Sequence, residues 1–493
     1  MKKLKNPVLS GIKSDLIIFV LKIIVGFGTI PVYLYFLELN EFGFYIAVQS
    51  VITLLSLADI GLGQYVVKKL SNKKYYDEHG QFFLPSIQFF QYFMAAFLFI
   101  LGIIGFYFVS DFLNVNEALK EEVNWLFLFS WCAVTLKTTF GLISSILQAK
   151  SLLAYLNIMN FLIFLSSIVI NILFLSLGYG ISSLGLSLLI TNIVVIFMMY
   201  LRLNKETSYR FLRPTKCNRT YVREGWDYIK KFQLLKIAHV AKSSLFIVLL
   251  TKFSGAPVVA VYNVTNKMPL IFPELMSKLS LNYFTHFASL YERGLIYELK
   301  VEYKKLFNLG IQASFFVVFS LFFLNELFIS VWVGSVKFIG DDIFIFILLN
   351  IAILLLTSFT GLIIQISGEF KKTPLFAIIE VIGFLVLSSL FFDFYGTKGI
   401  VIALFISSFP SFIYSIFVVK KILALKYRDI ISDNVKNILL ICTCLPISNY
   451  VLIRVIDTAF ILLLVETTIF TALFIAVQWK HIPNKFKLNL RSA

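Results

Sequence analysis

Runs of roughly 20 apolar residues recur along almost the whole chain, and nothing else limits its folding so strongly. In hydrocarbon each backbone N–H and C=O must find a partner inside the protein, so every such run reads as a helix. Fourteen are expected. The first seven are Leu16–Leu37, Phe42–Ile60, Ile87–Val109, Val123–Leu147, Leu156–Leu177, Ile181–Leu201 and Phe232–Leu250. The second seven are Val258–Leu281, Leu306–Ile329, Ile343–Ile366, Leu375–Phe394, Ile400–Val419, Ile438–Ile453 and Ala459–Trp479. Span 7 is the most polar of these and span 13 is short. Only 14% of the 493 residues are charged, where a soluble chain would carry about 25%. The fold class is therefore an all-α polytopic membrane protein. The basic start "MKKLKNPVLSGIKSD" leads into a run long enough to span, so it reads as no cleavable signal peptide.

Cations orient the bundle. If the first loop is inside, loops on that face hold 33 of the 44 Lys and Arg residues. The opposite loops hold five, Lys120, Lys252, Lys337, Lys398 and Arg454, and six cations lie within spans. One missed helix would scramble this asymmetry, so the positive-inside rule puts both termini in the cytoplasm. The net charge of +17 then reflects orientation and attraction to anionic membrane lipids, and no nucleic-acid partner is needed to explain it. The four cysteines (Cys132, Cys217, Cys442, Cys444) form neither a CxxC pair nor a zinc spacing, so no metal site is expected.

The two halves echo one another at a fixed offset. "EFGFYIAVQSV" around Tyr45 matches "VVAVYNVTNKM" around Tyr262, 217 residues later, with Gln49 against Asn266. "ISSILQAKSLLAYLN" around Gln148 matches "LIIQISGEFKKTPLF" around Gln365 at the same offset. "GYGI" at Gly178–Ile181 matches "GTKGI" at Gly396–Ile400, about two residues out of step. An offset of six spans preserves orientation, so the repeats are parallel. The expected architecture is a first lobe at 1–201, a basic cytoplasmic linker at 202–231, a second lobe at 232–421, and two extra helices with a basic tail at 422–493. Two parallel six-helix lobes are a transporter design with the substrate site between them. The linker is expected to include an amphipathic helix on the membrane surface.

Ionisable residues inside spans are costly and normally face a cavity or a partner. Span 7 carries Lys236, His239 and Lys242 three residues apart, which places them on one helical stripe. Lys22 lies 217 residues before His239, so each lobe opens with a base at one repeat position. Lys22, Lys236 and Lys278 are near enough to a span end to snorkel. Lys137, Lys242 and Lys267 lie deeper and read as cavity cations, with buried pairing to an acid as the alternative. Among the acids, Glu274, Glu380 and Glu466 are candidates to bind a coupling proton or sodium ion, or simply to face polar neighbours. Glu274 follows Pro269 and Pro273, where the helix is expected to break.

The step "LADIGLGQYVVKKLS" ends span 2. Asp59 sits where the helix dipole disfavours an acid, Gly61 and Gly63 loosen the backbone, and Lys68 and Lys69 follow. Two readings stay open: a cytoplasmic latch of acid, hinge and cations, or a plain helix stop before a solvated loop.

The stretch "PVYLYFLELNEFGFYIAVQSVITLLSLADIGLGQYVVKKLS", with its glycine-tyrosine helix entry and Asp-x-Gly-x-Gly step, resembles the start of Wzx-type polysaccharide (O-antigen) flippases. "ILQAKSLLAYLN" and "ISVWVGS" fit the same family, and the resemblance runs from about Leu16 to Lys421. The chain departs from it in the second lobe, with Ala260 in place of Gly43 and Met276 in place of Asp59. The resemblance implies a fold of the multidrug/oligosaccharidyl-lipid/polysaccharide exporter type in a bacterial cytoplasmic (inner) membrane. It implies an undecaprenyl-pyrophosphate-linked oligosaccharide, of O-antigen, lipopolysaccharide or capsular type, moved to the periplasmic leaflet by alternating access. A polysaccharide polymerase and a chain-length regulator are the implied protein partners. Lys22, Lys137, His239, Lys242 and Lys267 would then hold the pyrophosphate, with no cofactor beyond an ion gradient.

No Walker loop, dinucleotide-binding glycine turn or HExxH motif is present, so an enzyme is not expected. The longest outer loop, Ser110–Glu122, is too short for the large loops of polymerases and ligases. The main rival is a drug exporter of the same superfamily, which would place acids rather than lysines against cationic substrates. A non-transporting scaffold would not need deep charges.

Overall fold

The computed structural model describes residues 7–56, 62–71, 73–207, 218–368, 372–425, 427–456 and 458–478. Among these every regular element is helical. The first half contains α1 (Pro7–Phe36), α2 (Leu39–Leu55), α3 (Leu62–Leu70), α4 (Lys73–Phe112), α5 (Glu117–Thr139), α6 (Gly141–Ala149), α7 (Leu153–Ser176), α8 (Ser182–Glu206) and α9 (Arg219–Ser254). The second contains α10 (Ala256–Asn266), α11 (Ile271–Glu292), α12 (Ile296–Trp332), α13 (Asp341–Ser367), α14 (Thr373–Tyr395), α15 (Thr397–Ser407), α16 (Phe409–Leu423), α17 (Tyr427–Val455) and α18 (Ala459–Gln478). The chain is a multi-pass, all-helical membrane protein. Within the described residues, each apolar run expected to span falls on one helix or on two consecutive ones. Among the described residues eight spans pass by length and composition alone, α15 and α16 together counting as one, and a ninth passes if α5 and α6 are joined.

The breaks have local causes. Pro269 cannot continue α10 as a regular helix, so the chain turns over residues 267–270 before α11. Pro410 lies in the first turn of α16 and ends α15 at Ser407 in the same way. The α5–α6 bend of 43° contains no proline; Phe140 carries it at φ −101° and ψ 8°.

Packing divides the chain into two compact units, Met1–Ala260 and Val261–Ala493. In the first, α5 lies against α4 and α8, α1 against α7, and α2 against α5 and α9. The α4–α5 contact is close because glycines sit under aromatic rings: a Cβ on Gly102 would lie 1.8 Å from Trp131, and one on Gly105 2.5 Å from Phe127. Trp131 is buried and donates its ring N–H to the Leu98 carbonyl at 2.7 Å. In the second unit α13 packs on α11, α12 and α16, and α12 also holds α17 and α18. The boundaries at 201, 231 and 421 follow the repeat; the packing boundary instead falls within α10 and groups α9 with the first unit.

The start of α9 shows why. Asn218 caps the helix by accepting from the Thr220 N–H at 2.9 Å, and its own N–H donates to Ser86 Oγ at 2.8 Å. Tyr221 meets Phe83 edge-on with ring centroids 5.7 Å apart, and Trp226 meets Phe90 at 6.5 Å. Of the linker expected at 202–231, residues 208–217 lie outside the described ones. Its described last part, from Asn218, continues directly into α9 and packs on α4.

Candidate functional site

The expected cations fall on separate helices with contrasting surroundings. Lys242 on α9 is only 6% exposed, an ammonium enclosed by protein along its whole stem. The side chains of Lys236 and His239 lie outside the described residues, so the three-residue stripe is seen at Lys242 alone. The α9–α10 junction also packs tightly on α2: a Cβ on Gly43 would lie 1.9 Å from the Ala256 carbonyl oxygen. That contact gives the glycine-tyrosine entry of α2 its physical reason, since two backbones meet there.

Lys22 on α1 is half-buried, with its ammonium 5.7 Å from the centre of the Phe164 ring on α7. Lys137 lies in the last turn of α5, where a cation suits the helix dipole, and it is exposed. Lys267 occupies the break between α10 and α11, half-buried, with Glu274 within Coulombic reach. By packing, Lys22, Lys137 and Lys242 belong to the first unit and Lys267 to the second. The repeat had assigned Lys242 to the second lobe.

Asp59 and Gly61 lie outside the described residues. Gly63, Lys68 and Lys69 are on α3, a separate short helix. Gly63 admits close packing rather than a turn: a Cβ there would lie 2.9 Å from Ser145 Oγ of α6. Lys68 is exposed. Lys69 has a partner that sequence reasoning missed, Glu224 on α9, at 3.0 Å. Tyr65 Oη also donates to Glu224 at 3.2 Å, and the Lys69 ammonium lies 5.6 Å from the centre of the Tyr65 ring. Glu224 stands three residues before the aspartate in "REGWDY", with no local signal that it would meet α3.

The three acids also separate. Glu274 is exposed in the first turn of α11, where the dipole favours it, and Glu380 on α14 is half-buried. Glu466 on α18 is 0% exposed and accepts from Asn449 Nδ2 of α17 at 2.6 Å, while its second carboxyl oxygen has no hydrogen-bond partner among the described residues. Leu324, Ile441, Leu445 and Phe470 form a buried cluster that joins α12 to these two helices. Asn449 was not foreseen, although an asparagine inside an apolar run is itself a signal of a buried polar contact.

Two further polar clusters stand out. In the first unit Tyr33 Oη accepts from Asn171 Nδ2 at 2.7 Å, Asn171 Oδ1 accepts from Ser187, and Gln49 Nε2 donates to Ser130 Oγ at 3.1 Å. In the second, Asn266 Nδ2 donates to Tyr262 Oη at 2.8 Å, and Asn325 Nδ2 of α12 donates to the Thr265 carbonyl at 3.0 Å.

Neither a family model nor a curated relative matches the sequence. Solved structures do match in fold. The chain is similar to lipid II flippase MurJ in an inward closed conformation, with a TM-score of 0.74 at 15% identity, covering 94% of this chain and 97% of that one. It is similar to an inward-facing multidrug resistance MATE family transporter of the MOP superfamily, with a TM-score of 0.67 at 10% identity, covering 83% and 98%. A MOP superfamily transporter from Pyrococcus furiosus, described as having a binding pocket of reverse polarity, matches with a TM-score of 0.55 at 13% identity, covering 86% and 99%. The fold is shared with lipid II flippase MurJ and with MOP superfamily transporters.

Proposed function

We propose that this protein is a flippase that moves an undecaprenyl-pyrophosphate-linked oligosaccharide, an O-antigen or capsular repeat unit, across a bacterial inner membrane. Lys242 carries the reading. It is buried on α9, and an ionisable side chain held within a membrane helix characteristically serves a partner or a translocation site. A pyrophosphate is an anion that suits such a cation, and a point charge on a flexible stem can follow it as it moves. The likeness to a lipid II flippase supports the same class of cargo. Lys137 and Lys267 act with Lys242, Lys22 and His239 contribute at the repeat-matched positions, and the chain crosses fourteen times with both termini cytoplasmic. Coupling to a proton or sodium gradient runs through an acid, and Glu466 is the best placed because its carboxyl is enclosed. Asp59 with the α3 lysines acts as the latch at the end of α2. A polymerase and its chain-length regulator take up the flipped unit.

The test replaces Lys137, Lys242 and Lys267 singly by Arg, Ala and Gln, with polymer display and protein in the membrane measured together. Lys→Arg keeps much of the display, and Lys→Ala and Lys→Gln abolish it at normal protein level. A buried structural pair predicts lowered protein instead, and normal display from all three alanine variants ends the proposal. Multidrug export is the second reading, favoured by the MATE likeness together with the buried carboxylate of Glu466. It predicts that Glu466→Gln abolishes resistance to cationic drugs while the lysine variants keep it.

A further inference from the structure

The break at Pro269 leaves an unusual collection of oxygens in the second unit. In a regular helix the N–H of residue 269 would cap the Thr265 carbonyl, but proline has none. Asn325 Nδ2 fills that place at 3.0 Å. The amide is thereby turned so that Asn325 Oδ1 has no hydrogen-bond partner among the described residues, although Asn325 is 0% exposed. Asn266 repeats the pattern next door. Its Nδ2 is committed to Tyr262 Oη, and its Oδ1 is likewise without a partner at 5% exposure. Thr265 Oγ1, on the residue before Asn266, accepts from the Ile339 N–H at 3.2 Å. A buried acceptor left open costs about 1–3 kcal/mol, and here two lie at the end of one half-helix, whose dipole adds partial negative charge.

We propose that Asn266 Oδ1 and Asn325 Oδ1, with Thr265, form a site for a monovalent alkali cation. The ligand set is neutral oxygen throughout. It lacks the carboxylates a divalent ion requires, but it suits a singly charged hard cation, as the C-terminal ends of broken membrane helices do. Lys267 follows directly in the chain, and Glu274 within Coulombic reach offsets its charge. The repeat supplies a control. The residues 217 earlier are Val48 and Gln49, on an unbroken helix, and Gln49 is satisfied by Ser130. Open oxygens therefore arise at these positions together with the break. The occupant that competes with a cation is a water donating to both oxygens.

Thermal unfolding of the purified full chain in nanodiscs decides between them, in NaCl, KCl or N-methylglucamine chloride at one ionic strength. The site predicts a midpoint that rises with alkali cation and saturates, and does not rise with N-methylglucamine. Asn266→Ala raises the half-saturating concentration at least about tenfold, one ligand oxygen's worth. Asn266→Asp lowers it, because Tyr262 can donate to the carboxylate while the added charge attracts the ion. If Asn266→Ala fails to fold, Asn266→Asp alone carries the comparison. A wild-type midpoint indifferent to the cation means water fills the site and overturns the proposal, as does a cation effect that both variants leave unchanged. The readout is binding, so it stands or falls separately from flippase activity.

Discussion

α2 and the α10–α11 pair occupy matching places in the repeat, yet they are built in opposite ways. α2 runs unbroken from Leu39 to Leu55, passing through Ile52. The residue 217 later is Pro269, and α10 stops at Asn266. Each helix carries a tyrosine followed four residues on by an amide. In α2 the amide of Gln49 reaches across to Ser130 of α5 and ties two helices together. In α10 the amide of Asn266 turns back to its own Tyr262 and leaves its oxygen open. Small residues divide the same way: Gly43 lies under a neighbouring backbone, while its counterpart Ala260 has room for a methyl group. One copy has become a packing element. The other keeps polar groups at a break, where a helix can bend.

The largest effect should come from the packing side of this contrast. In Gly43→Ala the new Cβ would start 1.9 Å from the backbone oxygen of Ala256, and no side-chain rotamer can relieve it. Overpacking of this kind costs about 3 kcal/mol. Ala260→Gly removes one buried methyl group and adds the helix cost of glycine, about 1–2 kcal/mol together. Unfolding midpoints and membrane abundance should rank Gly43→Ala well below Ala260→Gly. Equal effects would mean that the close approach at α2 is absent.

The next change makes the second copy resemble the first. Pro269→Ala supplies an N–H that can cap the Thr265 carbonyl, which frees the Asn325 amide. Amide hydrogen exchange around residues 266–271 should slow by about fivefold, the equivalent of about 1 kcal/mol of local stability. The response of the unfolding midpoint to sodium should shrink with it. Exchange that stays as fast as in the wild type would show that the break is held by more than the proline.

Much of this architecture can be read from the chain, because each backbone group in hydrocarbon needs a helix and each helix needs an apolar run. The breaks at Pro269 and Pro410 are legible for the same reason: a missing N–H is written in the sequence. The bend at Phe140 is not, since hydropathy registers an apolar run without its direction and no proline marks the site. Charged residues show a similar limit. Lys242, near the middle of its span, is buried. Lys137 is exposed in the last turn of α5, and depth along a helix does not say which face a neighbour covers. Partners across space were the least legible. Lys69 meets Glu224 and Glu466 meets Asn449, pairs separated by 155 and 17 residues, and helical periodicity carries no information on which stripes will face each other.

The smallest effects separate the two amides themselves. Gln49→Leu loses one hydrogen bond and leaves Ser130 Oγ without that donor, a loss of about 1 kcal/mol. It should not depend on the cation present. Asn266→Leu removes a bond of similar worth to Tyr262, but it also removes an open buried oxygen whose desolvation costs about 1–3 kcal/mol. In N-methylglucamine chloride those terms offset, so the variant should unfold within about 1 kcal/mol of wild type. In saturating sodium the wild type gains stability by binding and the variant does not, so the gap should open in one salt only. A gap of equal size in both salts would make Asn266 a structural amide like Gln49, and the difference between the two copies would then lie in their backbones alone.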